Sequence, residues 1–120
     1  MVTTTSPRRS APVPIEDLAE IFRALGDTTR IEIIRLLIGG EEVACTTLEA
    51  ILPISKSTIS YHVKALKSVG LIRVRKDGRY YHYTLQRDRL DALLPGVADL
   101  LPQVTPRGAG RRGLDSPPLS

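Results

Sequence analysis

The residues with the clearest chemical signature lie between positions 53 and 89. This segment carries nine Lys and Arg residues against two acids, and residues 53–76 hold no acid at all. Residues 15–52 have the opposite balance, with three cations against eight anions. A polyanion is therefore attracted to the second segment and repelled by the first. The alternative is a solvated basic surface without a ligand, and the spacing of the residues has to distinguish the two.

The spacing after residue 55 predicts a helix with one apolar and one polar face. Ile59, Val63 and Leu66 recur at helical steps between Ser55, a good N-cap, and Gly70, a good terminator. On the polar face, hydroxyl and phenol groups are suited to the edges of DNA bases, and amines are suited to phosphates. The predicted base contacts are Ser57, Thr58, Ser60 and Tyr61. The predicted phosphate contacts on this helix, at about 56–69, are Lys56, Lys64 and Lys67.

After Gly70 the apolar period changes from that of a helix to that of a strand. Asp77-Gly78 is a favoured dipeptide for a two-residue hairpin turn, so residues 71–76 and 79–85 are predicted to pair. The predicted register places Lys76 opposite Arg79, with apolar residues on one face and cations on the other. This hairpin is a predicted wing, at about 71–85. Three cations beside its turn are expected to reach DNA phosphates: Arg75, Lys76 and Arg79.

Two helices are predicted at the start of the folded part. Ile15 begins an apolar stripe at helical spacing, and Gly26 ends it. Asp27 is suited to cap a second helix over about residues 28–38.

Two further helical regions complete the order of elements. Thr46 and Glu49 have the spacing of a capping box, which predicts the start of a short third helix. Residues 88–101 form a last helical region, which Pro95-Gly96 is expected to split, with Pro95 beginning the second piece. The sequence thus predicts a mainly α (α+β) fold, a winged helix-turn-helix with a two-stranded wing.

Composition bounds the domain and excludes several classes of protein. Residues 1–14 and 102–120 are rich in Pro, Ser, Thr, Gly and Arg, and we predict a disordered arm and tail around one domain at 15–101. One cysteine excludes an internal disulfide, and no stretch is apolar enough for a membrane helix or a secretory signal. We therefore expect a cytoplasmic, nucleoid-associated protein. No phosphate loop or nucleophile motif is present, so we expect neither an enzyme nor a cofactor.

Three segments resemble the ArsR (arsenic-repressor) family of bacterial transcriptional regulators: residues 24–30, residues 54–66, and residues 70–72 followed by 75–79. One departure is Thr28, where members of the family often carry proline. The resemblance implies a homodimer that binds a palindromic operator in double-stranded DNA and represses transcription. It also implies that the first and last helices form the dimer. The apolar residues expected there are Ile15, Leu18, Phe22, Leu90, Leu93, Leu94, Val97, Leu100 and Leu101.

Metal-sensing relatives carry ligands that this sequence lacks. Their Cys-x-Cys pair in the third helix corresponds to Ala44 and Thr46, with Cys45 between them, and residues 88–101 contain no histidine for a zinc site. We therefore expect a member that does not sense metals. His62 and His82 have no second ligand at helical spacing, and we expect structural roles for both.

Three alternatives remain open at this point. Cys45 is either a small packed residue or a thiol-based redox switch near a helix N-terminus. A winged helix can also serve contact with a protein or with RNA, because the fold does not fix the function. The inducing signal is either a small-molecule effector near the dimer helices, an oxidation, or absent.

Overall fold

The computed structural model describes residues 12–101. Residues 12–14 precede the first helix without regular structure. The rest of the predicted arm, and the whole of the predicted tail at 102–120, lie outside the described residues.

The first two helices are joined by a corner of two residues, Gly26 and Asp27. Helix α1 spans Ile15–Leu25 and helix α2 spans Thr28–Leu37. Asp27 caps α2, because its Oδ1 accepts hydrogen bonds from the backbone N–H groups of Thr29 at 2.8 Å and Arg30 at 3.2 Å. The predicted boundaries and this cap are confirmed.

A short strand, which the sequence did not reveal, precedes the third helix. Strand β1 spans Val43–Ala44, and helix α3 follows at once over Cys45–Ile51. The predicted capping box is wrong, because Ala44 is the N-cap and supplies no side-chain acceptor, while Thr46 lies inside the helix. The pairing of β1 with a distant strand fixes the chain up to Ala44, so the helix begins directly after it.

Helix α4 spans Lys56–Ser68 and ends in a Schellman motif. The N–H of Gly70 donates to the carbonyl oxygen of Lys67 at 2.9 Å, and the N–H of Leu71 donates to that of Leu66 at 3.0 Å. Gly70 has φ +81°, and an added Cβ there would lie 2.8 Å from Nε of Arg89. Both the left-handed backbone and this close approach favour glycine.

The wing is the hairpin of strands β2, Ile72–Asp77, and β3, Tyr80–Leu85. Its register differs from the prediction by two residues: Asp77 pairs with Tyr80, so the two-residue loop is Gly78-Arg79. Gly78 at the first loop position has φ +65°, which suits the primed turns of hairpins.

The observed register extends the ladder to Ile72 opposite Leu85, and both side chains are buried. A shift of two residues keeps every side chain on its predicted face. The prediction of an apolar and a cationic face therefore stands, although the turn was misplaced. Strand β1 adds to the free edge of β3, so the sheet has the order β1-β3-β2 with antiparallel pairs.

The last region is split as predicted, at Pro95-Gly96. Helix α5 spans Arg87–Leu93, and a 3₁₀ helix spans Val97–Leu100. The second piece begins after Gly96, which has φ +85°, so the placement of Pro95 at its start is wrong.

One apolar core joins the helices to the sheet. Its fully buried members include Ile33 and Leu37 of α2, Leu48 of α3, Leu66 of α4 and Tyr83 of β3. The core holds α4 and the wing in fixed positions relative to α2. Across residues 12–101, none of the helices has both the length and the apolar character needed to cross a bilayer.

Candidate nucleic-acid interface

Helix α4 presents its polar face to solvent because its apolar face is fully used by the core. Ile59, Val63 and Leu66 are buried, and four residues, 52–55, join α3 to α4. Ser55 caps α4 by accepting from the N–H of Thr58 at 3.2 Å. This is the geometry of a helix-turn-helix whose second helix is free to enter a groove.

The predicted base-contact residues do not all share one environment. Ser57, Ser60 and Tyr61 are exposed, and Tyr61 keeps 64% of its surface accessible. Their spacing of three and four residues places them on one side of α4. Thr58 is half-buried, and its hydroxyl accepts from Oγ of Ser55 at 3.0 Å as part of the cap.

The predicted phosphate-contact residues form a basic surface that runs from α4 onto the wing. Its exposed members are Lys56, Lys64, Lys67, Lys76 and Arg79. Within residues 12–101, none of these five forms an ion pair with an acid. Nζ of Lys76 instead lies 5.7 Å from the ring centroid of Tyr81. Unpaired cations are free to neutralise phosphates.

The wing and α4 border a common cleft of about 240 Å³. Lys56 at the start of α4 and Arg79 in the hairpin loop both line it, together with Thr46 of α3. Cations from two elements therefore face one concave surface, which they share with the carboxylate of Asp77.

Arg75 differs from the other predicted phosphate contacts because it already has a partner. Its Nε and Nη2 donate to the two carboxylate oxygens of Glu42 at 2.8 and 2.9 Å. Sequence reasoning missed Glu42, since the strand that brings it beside the wing is only two residues long. The hydrogen bond from Arg75 lowers the pKa of the Glu42 carboxyl, and the same bond raises the pKa of the Arg75 guanidinium. A carboxyl with a lowered pKa keeps its charge at neutral pH and loses it only as the pH falls through that value.

Cys45 is the first residue of α3 and is buried, with 3% of its surface accessible. It lies beside the phenol of Tyr83 on β3. Burial raises the pKa of that phenol, the neighbouring Cys45 thiol raises it further, and the Ser60 hydroxyl lowers it. Cys45 thus occupies the packed environment of a small core residue, which limits access of an oxidant.

The two histidines lie in different settings. His62 is a buried residue of α4, and its Nδ1 accepts a hydrogen bond from Nε of Arg30 at 3.0 Å. His82 is half-buried on β3, opposite Arg75. Over the part of the chain that the structure describes, no group of three or more His, Cys, Asp and Glu side chains is arranged to hold a metal ion.

The residues predicted to form the dimer differ in how far they are exposed. Ile15 and Phe22 on α1 are 80% and 52% exposed, and Leu100 is 78% exposed. Leu90 is buried within the protomer's own core. The remaining members are half-buried: Leu18, Leu93, Leu94, Val97 and Leu101. Ile15, Leu18 and Phe22 fall at i, i+3 and i+7, so α1 carries an apolar stripe that residues 12–101 leave exposed at Ile15 and Phe22.

Comparison with known proteins gives one consistent result. Residues 25–75 match a family described as a helix-turn-helix domain. The chain is 40% identical to the HTH-type transcriptional regulator YceK of Bacillus subtilis over 84 residues, which are 69% of this chain and 84% of that protein. It is 38% identical to an arsenical resistance operon repressor of Staphylococcus aureus over 82 residues, 68% of this chain and 78% of the repressor.

A solved structure shares the fold as well. An ArsR-like transcriptional regulator from Rhodococcus sp. RHA1 superimposes with a TM-score of 0.57 at 30% identity, over 83% of this chain and 82% of that one. The predicted winged helix-turn-helix fold is thereby confirmed, with a three-stranded rather than a two-stranded sheet.

Proposed function

The chain belongs to the ArsR family of helix-turn-helix transcriptional regulators, and from that membership we propose that it works as a homodimer that represses transcription from a palindromic operator. DNA binding and transcriptional regulation come with the family, whose members named above are transcriptional regulators and not enzymes. The proposed place of action is the cytoplasm, on the nucleoid. The observation that carries the proposal is the basic surface: Lys56, Lys64, Lys67, Lys76 and Arg79 face solvent without an ion-pair partner in residues 12–101.

The proposed docking places α4 in the major groove. That groove admits a helix and displays a distinct donor and acceptor pattern for each base pair. Ser57 and Ser60 offer short hydroxyls that both donate and accept, and Tyr61 offers apolar contact with a thymine methyl. Thr58 is a weaker candidate for a base contact, because it is half-buried. Ser57 is exposed, although its hydroxyl also lies 3.1 Å from Oγ of Ser55.

The lysines of α4 and the tip of the wing are proposed to hold the DNA backbone. Lys56, Lys64 and Lys67 flank the reading residues along α4, and Lys76 and Arg79 extend the contact from the wing. Contacts of this kind position the protein and carry no sequence information. For Arg75 the proposed phosphate contact requires exchange of its carboxylate partner, Glu42.

The proposed dimer is formed by the apolar stripe of α1 and by the exposed part of the last helical region. Ile15, Phe22 and Leu100 expose large apolar surfaces that a second copy would cover. A dimer with two copies of α4 matches an operator whose half-sites are related by two-fold symmetry.

A regulator that does not sense metals remains the proposed type. The positions of the family's cysteine pair hold Ala44 and Thr46, neither of which offers a thiolate. A small-molecule effector is proposed as a further partner.

The salt dependence of DNA binding tests the electrostatic basis of the proposal. With five phosphate contacts in each protomer, about ten per dimer, log K should fall with log salt concentration at a slope of about −9. Lys64→Gln should reduce the slope by about 2, since each dimer loses two contacts. Arg23→Gln is the matched control, because it removes an exposed cation that lies on α1 and pairs with Glu20.

The same titration also distinguishes a regulator that binds duplex DNA from a winged helix that contacts RNA or a protein. A duplex that binds with a slope near zero, or a slope that Arg23→Gln changes as much as Lys64→Gln, contradicts the proposed interface. Binding of single-stranded or folded RNA in preference to every duplex would favour the alternative that this winged helix contacts RNA.

A further inference from the structure

A polar cluster lies directly behind the exposed face of α4. Arg30 of α2 donates through Nε to Nδ1 of His62 at 3.0 Å, and through Nη1 to the backbone oxygen of Ala24 at 3.4 Å. Among residues 12–101, His62 is the one polar side chain that counts as buried. Oδ1 of Asp27 lies 4.0 Å from the same Nδ1, so the cluster joins the corner between α1 and α2 to α4.

This cluster contacts an exposed aromatic ring. The guanidinium carbon of Arg30 lies 5.6 Å from the ring centroid of Tyr61. The ring of His62 meets the ring of Tyr61 edge-on, with centroids 5.1 Å apart and planes at 71°. Tyr61 is therefore held by a cation–π contact and an edge-to-face contact while 64% of it faces solvent.

We propose that Arg30 is a positioning residue that sets the DNA sequence preference by fixing the ring of Tyr61, and that His62 holds Arg30 in place. The inference rests on the proposed function, specifically on base contact by Tyr61. The guanidinium is planar and its donors form a rigid fork. With Nε bonded to His62 and Nη1 to the Ala24 carbonyl, the plane beside Tyr61 has one orientation.

The physical benefit is preorganisation. An unsupported tyrosine on a helix surface exchanges between rotamers and loses that freedom when it contacts a base. A ring that is already held in one rotamer loses less conformational entropy on contact with a base, and it presents its edge at one position along the groove. Discrimination between bases then depends on Arg30 although Arg30 lies behind the contact surface.

His62 supplies the acceptor that this arrangement needs. A guanidinium only donates hydrogen bonds, so Nδ1 of His62 must accept. An asparagine at this position retains an acceptor, Oδ1, at the same distance in bonds from Cβ as Nδ1 of His62, whereas a leucine removes the acceptor. Both variants lose the imidazole ring, so the pair His62→Asn and His62→Leu isolates the hydrogen bond to Arg30.

The test measures discrimination between two duplexes. One is the duplex that the wild-type protein enriches from a random-sequence pool, and the other is an unrelated duplex of equal length. We expect Arg30→Gln and His62→Leu each to reduce the ratio of the two affinities about three- to tenfold. His62→Asn should reduce the ratio less than His62→Leu, because it loses the ring contact with Tyr61 but keeps the acceptor for Arg30. Arg35→Gln is the control, since Arg35 lies on the same helix and pairs with Glu32.

A double-mutant cycle with Tyr61→Ala shows whether Arg30 affects DNA discrimination through Tyr61. In the Tyr61→Ala background, Arg30→Gln should lower the ratio no further. An equal loss with and without Tyr61 would show a general structural role or a direct DNA contact, and would overturn the inference. Should Arg30→Gln fail to fold, the affinity ratios of the two His62 variants are compared in the presence and in the absence of Tyr61 instead.

Failure of the proposed function gives a different result. If the wild-type protein enriches no duplex from the pool, the proposed function fails and the inference fails with it. If the wild type discriminates between the duplexes and Arg30→Gln discriminates equally well, the inference alone is wrong.

Discussion

Tyr61 and Lys67 lie on the same helix and differ in what they offer to DNA. In the proposed interface Tyr61 contacts base edges, which differ between base pairs, and Lys67 contacts phosphates, which are alike in every sequence. We expect Tyr61→Ala to reduce the preference for operator over unrelated duplex about tenfold. Lys67→Ala should weaken both complexes by a similar factor and leave the preference unchanged. Fluorescence anisotropy titrations with the two duplexes measure both affinities.

The prediction depends on the difference between the two variants. Equal changes in preference would contradict the division between reading and positioning residues. Circular dichroism of each variant provides the control for folding, because Tyr61 and Lys67 are both exposed and should contribute little to the core.

Sequence reasoning at the residue scale succeeded where the relevant property is local. The exposure of the hydroxyl and amine side chains on α4 was predicted from residue type and helical period. The structure agrees for every one of them except Thr58, which is half-buried. It missed Glu42 and Arg30, whose roles depend on partners 33 and 32 residues away in the chain. Such pairs arise from tertiary packing and leave no periodic signal.

At the scale of elements, Gly70 determines how α4 passes into the wing. We expect Gly70→Ala to lower the free energy of unfolding by about 2–3 kcal/mol, because of the left-handed backbone and of contact with Arg89. Gly40 also has positive φ but has open space around it, so Gly40→Ala isolates the backbone effect, about 1–2 kcal/mol. Urea unfolding followed by circular dichroism gives these values.

Gly39→Ala completes the series. Gly39 has neither positive φ nor an atom within 4 Å of an added Cβ, so this variant should be near neutral. A cost at Gly70 no larger than that at Gly40 would show that Arg89 moves aside freely.

The wing shows why elements are predicted better than their register. Alternation of apolar and polar residues identified both strands and their faces, and Asp77-Gly78 located the turn to within one residue. The alternation of apolar and polar residues is unchanged by a shift of two residues. The register therefore depends on the energies of the cross-strand pairs, which alternation does not reveal. The observed one gains the buried pair of Ile72 and Leu85. Strand β1, with two residues, is too short to show any alternation.

At the scale of the whole molecule, the exposed stripe on α1 predicts association of two chains. Wild-type protein should sediment with the mass of a dimer, and Phe22→Asp should dissociate it, because a carboxylate placed in an apolar interface loses its hydration. Operator affinity should then fall about 100-fold or more, since each half-site would be bound independently. Sedimentation equilibrium and a DNA titration on the same samples measure the two effects.

Tyr80→Asp is the matched control for the mass measurement. Tyr80 is an aromatic residue of the wing with exposure similar to that of Phe22. Its replacement should leave the mass of two chains unchanged. A monomeric wild type, or loss of the dimer in both variants, would contradict the assignment of the interface to α1.

The ion pair of Arg75 with Glu42 has a consequence for the energetics of the wing. Glu42 accepts hydrogen bonds from Nε and Nη2 of Arg75, the groups that the proposed phosphate contact would use, so the guanidinium is already paired with an anion in the absence of DNA. Engagement of Arg75 is then a swap of one anion for another, and the displaced carboxylate remains nearby. Such a swap adds little to net charge neutralisation, and it gives the wing a contact whose strength hardly varies with ionic conditions, unlike those of its neighbouring cations.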